Sequence, residues 1–419
     1  MANPTIGFIG LGKLGLPVAA TLSFLGCRVL GYDVNPEVAG YLRNKEVPFT
    51  EESLDSVLSR SNIQLLTSIE AVVRESDIIF CAVQTPHRPE FAGDTVLELE
   101  RADFDYKYLI SAVRSVSLCD LDKILVVIST CLPGTYREVI SPILNGSRVR
   151  YVYNPFFIAM GTVIKDFVNP EFVLLGHEND MGAVEEIKSF YLRFLGDRCK
   201  FLVTDITTAE GVKVFYNTYI TAKTVLANTF GEFAHKLGMN VDHITEALSM
   251  ATDRIISPKY LKSGVGDGGC CHPRDNIALS YCARKIGLSN NLFDDLMMAR
   301  EDHMQWLAKI FVGKAQEMKL PAVVLGKSFK PESNITTGSA AMLFADILKS
   351  YYRGTSFDFK HYEFEPFVPE KAIYFIATQH QVYRTFPFLE GSVVIDPFRY
   401  IPHIAGVEVI GIGSGKNEK

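Results

Sequence analysis

Gly268-Gly269-Cys270-Cys271-His272-Pro273-Arg274-Asp275 sets a thiol beside two glycines and a proline, with a cation and a carboxylate close behind. A thiol near fixed positive charge ionises more readily, and the thiolate is the nucleophile. The competing reading is a buried cysteine pair in a tight loop, since free cysteines are commonly buried and inert. A second chemical set lies in a proline-free run over 208–237, broken only by Gly211 and Gly231. Lys213 and Asn217 stand four apart there, so a helix puts them on one face, with Lys223 further along. A lysine on a largely apolar helix is commonly paired or snorkelling. Beside Asn217 it also fits the stabilisation of an alkoxide or oxyanion. The third set is Gly10-Leu11-Gly12-Lys13-Leu14-Gly15, a G-x-G-x-x-G loop.

Elements must position these groups. Residues 6–9 read as a strand, 16–25 as a helix and 28–33 as a second strand ending in Asp33, 18 positions after Gly15. A glycine loop in that context is a dinucleotide fingerprint. Gly10 is expected to make the tight turn, Gly12 to admit a pyrophosphate at the helix N-terminus, and Gly15 to let helix and strand pack closely. Leu11, Lys13 and Leu14 complete the cofactor loop. Asp33 is expected to accept hydrogen bonds from the adenosine ribose and to repel a 2′-phosphate, so the cofactor is NAD rather than NADP. Apolar runs at 63–66, 78–83, 124–128, 149–153 and 172–175 continue a parallel, doubly wound sheet. Two runs end in turns bearing Thr85 and Thr130, which should face the cofactor. Thr207-Thr208-Ala209-Glu210 offers an N-cap for the long helix. A second strand start at 322–326, a helix near 340–350 and runs at 372–377, 393–395 and 407–410 read as a smaller α/β domain. It lacks a G-x-G-x-x-G loop, so no second NAD is expected.

The chain has 419 residues, 47% hydrophobic and 21% charged, with a net charge of -6. Two or three domains are expected from that length. The charges are interspersed, which argues against nucleic acid or an anionic membrane as partner. No secretory signal and no membrane-length apolar run is read in the sequence. The eight cysteines show no zinc-site spacing, and a reducing cytoplasm is expected to keep them as thiols.

With these pieces in order, the chain resembles the UDP-glucose/GDP-mannose 6-dehydrogenase family along nearly its whole length. The resemblance rests on Pro48-Phe49-Thr50-Glu51, Thr85-Pro86, Ser129-Thr130, Glu210 to Asn217-Thr218, Asp253-Arg254-Ile255, the Cys271 loop and Phe329-Lys330-Pro331. It implies an NAD-binding Rossmann domain at 1–203, a central helical dimerisation domain at 204–312 and a nucleotide-sugar-binding α/β domain at 313–419. The implied fold is two doubly wound Rossmann-like domains joined by a central helical domain with a long helix, in a homodimer. The implied activity is two successive NAD-dependent oxidations of the primary alcohol of a nucleotide sugar. The implied catalytic residues are Cys271, Lys213, Asn217, Asp275 and Thr130. Arg254, Lys259, Gly268, Phe329, Lys330 and Arg399 form the implied substrate set.

The chain departs from the family where water is activated. The family's Glu after Asn-Pro aligns with Phe156, and a second Glu with Met160. General-base help contributes about 10²–10⁴-fold in rate, so thioester hydrolysis is expected to suffer. Asp267 stands for an aromatic, Arg274 for a lysine and Thr337 for an arginine. Asp396-Pro397-Phe398-Arg399 resembles the family's late Asp-x-Arg with the spacing off by one. Two other readings stay open: a β-hydroxyacid dehydrogenase, and a catalytically degenerate NAD-binding protein.

Overall fold

The computed structural model describes residues 4–86, 102–197, 199–257, 262–266, 271–333, 335–351, 357–365 and 367–414. The chain divides into two compact units, Met1–Ala222 and Lys223–Lys419.

The first unit is built on strands β1 (Thr5–Ile9), β2 (Arg28–Tyr32), β3 (Ile63–Leu65), β4 (Ile78–Cys81), β5 (Ile124–Val127), β6 (Arg150–Tyr153), β7 (Val173–His177) and β8 (Phe201–Asp205). Their order in the sheet is β3-β2-β1-β4-β5-β6-β7-β8. The chain reverses direction across the sheet at β1, which pairs with β2 on one side and β4 on the other. Ligands of such sheets bind beyond the strand ends at that switch point. Strands β4 and β5 are buried at every residue, as strands covered on both faces must be. One face packs Phe8, Phe80 and Val126 under helix Gly15–Phe24; the other packs Ile79, Leu125 and Val127 against Leu109 and Val113.

The parallel expectation holds for the six strands from β3 to β6. β7 and β8 are parallel to each other, but β7 runs antiparallel to β6. A parallel return needs a crossover of about a dozen residues or more, generally a helix. The connection between β6 and β7, which carries the 6-residue helix Val163–Val168, is long enough for such a crossover, so its packing and not its length sets the reversal. β8 was not identified in the sequence because it is a half-exposed edge strand with no buried apolar run. The long helix spans Ile206–Leu237, starting two residues before the expected 208. Its cap is Asp205 rather than the Thr207-Thr208 pair, since the Asp205 carboxylate accepts the Thr208 N–H at 2.9 Å.

The second unit contains helices Val241–Met250, Cys271–Ile286 and Leu292–Met318 and a parallel sheet. The sheet strands are β9 (Ala322–Leu325), β10 (Phe359–Tyr362), β11 (Ile373–Ile376), β12 (Val393–Asp396) and β13 (Glu408–Gly411), in the order β10-β9-β11-β12-β13. β10 is an edge strand that the sequence reading missed for the same reason as β8. Met304, Leu307 and Phe311 of helix Leu292–Met318 pack on Val324 and Phe375, and Phe344 stacks on Phe375 at 4.0 Å. Helices Cys271–Ile286 and Leu292–Met318 are braced by Arg284–Asp294 at 2.6 Å and by Asn291 to the Ser280 hydroxyl at 2.9 Å. Among the described residues no helix is long and apolar enough to cross a membrane.

The glycine loop separates backbone requirements from open space. Gly10 has φ +96°, and a Cβ there would lie 2.8 Å from the Ala82 carbonyl. A Cβ on Gly15 would lie 2.1 Å from the Gly10 carbonyl, while one on Gly12 would meet nothing within 4 Å. Gly15→Ala should therefore destabilise the chain by about 1–3 kcal/mol, and Gly12→Ala by no more than about 0.5 kcal/mol. Urea unfolding reads both, and equal losses would overturn the distinction.

Candidate active site

In the first unit, the loops leaving the carboxyl ends of β1, β4, β5 and β6 carry the chemistry-bearing residues. After β1, the Leu11 N–H donates to Asp33 at 2.6 Å, and the second Asp33 oxygen accepts the Asn35 N–H at 2.8 Å. Asp33 therefore sets the glycine loop as well as closing β2. Lys13 is exposed, and Leu14 packs on the core. No side chain caps helix Gly15–Phe24, so its positive dipole end is left to an anion. Open space above Gly12, the uncapped amides and Asp33 at the end of β2 fit a dinucleotide.

After β4 and β5, the two hydroxyl turns lock together. The Thr85 hydroxyl donates to the Thr130 carbonyl at 2.8 Å, and the Ser129 hydroxyl to the Val83 carbonyl at 2.6 Å.

The first turns of the long helix meet the loops after β5 and β6. Glu210 is 1% exposed, and its carboxylate accepts the Gly134 and Tyr136 N–H groups at 2.6 and 2.7 Å. Burial pushes its pKa up, partly offset by those two bonds. Lys213, one turn on, is 8% exposed and donates to the Phe156 carbonyl at 2.8 Å. Its ammonium lies 5.2 Å from the Phe157 ring centroid. Burial pulls the Lys213 pKa below the ordinary lysine value. Asn217 is exposed on the same helix.

The segment after Asn154 is apolar where the family resemblance places carboxylates. Phe156 packs on Phe167 at 5.6 Å, Phe157 on Phe172 at 4.6 Å and Phe157 on Tyr216 at 4.8 Å. Phe156, Phe157, Phe167 and Phe172, with Tyr191, line a cavity of only about 20 Å³. Met160 is exposed. The nearest carboxylates are spent on the backbone of this segment. Glu51 accepts the Gly161 N–H at 2.9 Å, and Asp166 accepts the Ala159 N–H at 3.0 Å and the Thr162 hydroxyl at 2.8 Å.

In the second unit, Cys271 opens helix Cys271–Ile286, and Pro273 lies buried in its first turn. A proline there costs the helix no hydrogen bond. The backbone thus puts Cys271 at a helix start rather than in the turn expected from the glycines. Asp275 follows on the same helix. Lys259 and Gly268 lie outside the described residues. Arg254 is exposed in the turn after helix Val241–Met250. Lys330 holds its ammonium 5.4 Å from the Phe329 ring centroid. Arg399, expected at substrate, donates instead to the carbonyls of Pro397, Ile412 and Ser263 at 2.8, 2.6 and 2.8 Å. Its guanidinium clasps the β12–β13 connection. Asp396 is fully buried and accepts the N–H groups of Phe398, Tyr400 and Ile401.

Sequence reasoning missed a buried cluster of Ser328, Glu363 and His380. It is assembled from three loops far apart in the chain, and no local spacing signals it.

Residues 4–195 match the NAD-binding domain of the UDP-glucose/GDP-mannose dehydrogenase family, and residues 207–300 match its central domain. An uncharacterised protein of Methanocaldococcus jannaschii is 30% identical over 299 residues, 70% of this chain and 32% of the relative. A UDP-glucose 6-dehydrogenase of Rickettsia typhi is 27% identical over 281 residues, 66% of this chain and 62% of the relative. The chain therefore spans less than two thirds of either relative's length. The solved structure of a GDP-mannose dehydrogenase from Pseudomonas aeruginosa superposes with a TM-score of 0.83 at 21% identity, covering 96% of this chain and 99% of that one. At that identity the likeness establishes the fold alone. The chain belongs to the UDP-glucose/GDP-mannose dehydrogenase family, and its N-terminal domain is that family's NAD-binding domain.

Proposed function

We propose that this protein oxidises the primary alcohol of a nucleotide sugar, with Cys271 as the covalent nucleophile and with slow release of the acyl group to water. The observation that carries the reading is Lys213, a buried ammonium held on the Phe156 carbonyl. A buried cation that meets only a carbonyl and a ring face among the described residues is costly for stability and suited to a developing oxyanion. The Rickettsia relative's name supports a UDP-glucose-like substrate.

Bound NAD supplies the hydride acceptor for each oxidation. Lys213 and Asn217 stabilise the alkoxide as the alcohol loses its proton and the carbon its hydride. The Cys271 thiolate adds to the resulting aldehyde to form a thiohemiacetal, and helix starts favour thiolates. Loss of a second hydride leaves a thioester. Attack by water would give the uronic acid and return the thiol. The resemblance adds Asp275 and Thr130 to the catalytic set, with Thr130 in the turn that follows β5.

The aromatic packing around Phe156 favours a chain that stalls at the last step or passes the acyl group to a nucleophile other than water. Incubation with NAD and UDP-glucose or GDP-mannose should leave an acyl adduct on Cys271 by intact mass, absent in Cys271→Ala. Rapid production of two NADH per sugar with no adduct would rule the stall out. Equal NADH rates for wild type and Cys271→Ala would rule out the thiol.

Lys213→Met should lower kcat about 10²–10³-fold, the loss typical of one oxyanion donor. Folding stability should change by no more than about 1 kcal/mol, because removal of a buried cation offsets the lost bond to Phe156. Burial depresses the ammonium in the folded chain, so the charged form costs stability below its folded pKa. That cost fades as pH rises toward the ordinary lysine range. Activity should accordingly fall on the alkaline side at a lower pH than an unperturbed lysine would give. Pre-steady-state hydride transfer across a pH series reads it, and an alkaline limb at or above the ordinary lysine value would contradict it.

A second copy of the chain is the proposed partner. Phe215, Tyr219, Ile220 and Val225 of the long helix are 66, 49, 50 and 42% exposed. Light scattering should give twice the chain mass, and a monomer at micromolar concentration would contradict this.

A further inference from the structure

Ser328, His380 and Glu363 have the residue types of a nucleophilic triad, but their geometry excludes one. The Ser328 hydroxyl and the Glu363 carboxylate both lie 3.0 Å from the same His380 ring nitrogen, Nε2. A charge-relaying pair needs the two groups on opposite nitrogens. Ser328 is also 2% exposed, and His380 is fully buried.

The other ring nitrogen explains the cluster. His380 Nδ1 faces the Glu332 N–H at 3.1 Å and must accept from it. Nε2 therefore carries the proton and donates to Glu363 and Ser328. The Ser328 hydroxyl passes its own proton to the Lys330 carbonyl at 3.0 Å. The Glu363 carboxylate also accepts the N–H groups of Lys327 and Ser328. The Thr378 hydroxyl donates to the Ser328 carbonyl at 2.7 Å. Nearly every polar group of segment 327–332 that points inward ends on His380 or on a group bonded to it. Glu332 has φ +53°, a strained region for a residue with a side chain. Its N–H to His380 and its carboxylate to Gln381 N–H at 2.8 Å hold it there.

This segment leaves the carboxyl end of β9, and the His380 segment leaves that of β11. The sheet reverses direction between these two strands, which is where ligands of doubly wound sheets bind. An open crevice of about 460 Å³ lies there, lined by Lys330, Glu332, Ser333, Ile335 and Phe364. Phe364 packs edge-on against the His380 ring at 4.4 Å.

We propose that His380 is the positioning residue of loop 327–332, fixing Lys330 and the crevice wall for the diphosphate of a nucleoside diphosphate. The ligand part rests on the nucleotide-sugar reading above. His380 touches no ligand; it acts through Ser328, Glu332 and Glu363.

Three variants dissect it. His380→Phe removes both ring-nitrogen contacts, His380→Gln can keep a donor toward Glu363, and His380→Asn can keep an acceptor for Glu332. In His380→Phe, amides of 327–332 should exchange with deuterium faster than in wild type. The Kd for UDP or GDP and the KM for the nucleotide sugar should rise about tenfold, as one or two lost buried hydrogen bonds would give. KM for NAD should stay at the wild-type value, and Gln and Asn should each recover part of the loss. If the Phe variant does not fold, Gln and Asn carry the same comparison. Unchanged exchange over 327–332, or equal shifts in KM for NAD and for the sugar, would overturn the proposal while leaving the substrate reading intact. A wild type that binds neither UDP nor GDP overturns the substrate reading and the ligand part, and the exchange result still decides the loop role.

Discussion

Two buried ionisable side chains on one helical turn hold the long helix to the catalytic edge of the first sheet. Glu210 ends on amides that follow β5, and Lys213 on a carbonyl that follows β6. Neither is paired with the other. Each buried charge is met by backbone dipoles, and burial moves the two pKa values toward neutrality from opposite sides. The arrangement fixes both loops against the helix. Among the described residues it also leaves Lys213 with one acceptor for three donor protons. A group so placed can shift its donation to a new oxyanion without rearranging the helix, which is preorganisation in its simplest form.

The same loop after β6 carries the chain's departure from the family pattern. Aromatic rings fill the position of the expected base, and the surrounding carboxylates are already satisfied. Glu51 and Asp166 clamp the amides of Gly161 and Ala159 and so hold the segment in shape. A carboxylate that accepts main-chain N–H bonds is a weaker base than a free one, because those bonds favour the charged form. The chain thus keeps a buried lysine beside a loop whose side chains are aromatic where the resemblance implies carboxylates.

How much was legible in the sequence follows from how local each signal is. Gly10, Gly15 and Asp33 were readable because a tight turn, a close approach and a strand end each demand a residue type within a few positions. The reversal of β7 was not readable, since direction depends on how the connection packs. Asp205 rather than Thr207 or Thr208 caps the long helix because β8, unseen in the sequence, delivers the chain two residues earlier. Arg399 had the right type for a substrate contact, but three carbonyls claim its guanidinium, and only coordinates reveal such competition. Phe156 became informative through the family resemblance; alone, a phenylalanine after Asn-Pro means nothing. The placement of Cys271 and Lys213 as catalytic residues remains a reading of types and family pattern.

The two sheets begin with the same device and then diverge in how they build a ligand loop. Gly10 N–H donates to the last residue of β2, Tyr32, and Gly326 N–H to the last residue of β10, Tyr362, at 2.9 and 2.8 Å. Both glycines have positive φ, and each is pressed by the strand end beyond it, at Ala82 and Thr378. From Gly10 the chain enters its helix by Gly15, so the helix N-terminus lies within a few residues of the tight turn. From Gly326 the helix does not begin until Ala340, and the intervening loop cannot borrow a helix N-terminus. A long loop without regular structure is held by whatever lies beneath it. Here that is a neutral imidazole with one nitrogen accepting and the other donating. The first domain holds its glycine loop by shortness and close packing, the second holds loop 327–332 by a polar network, and only the first leaves a mark on the local sequence.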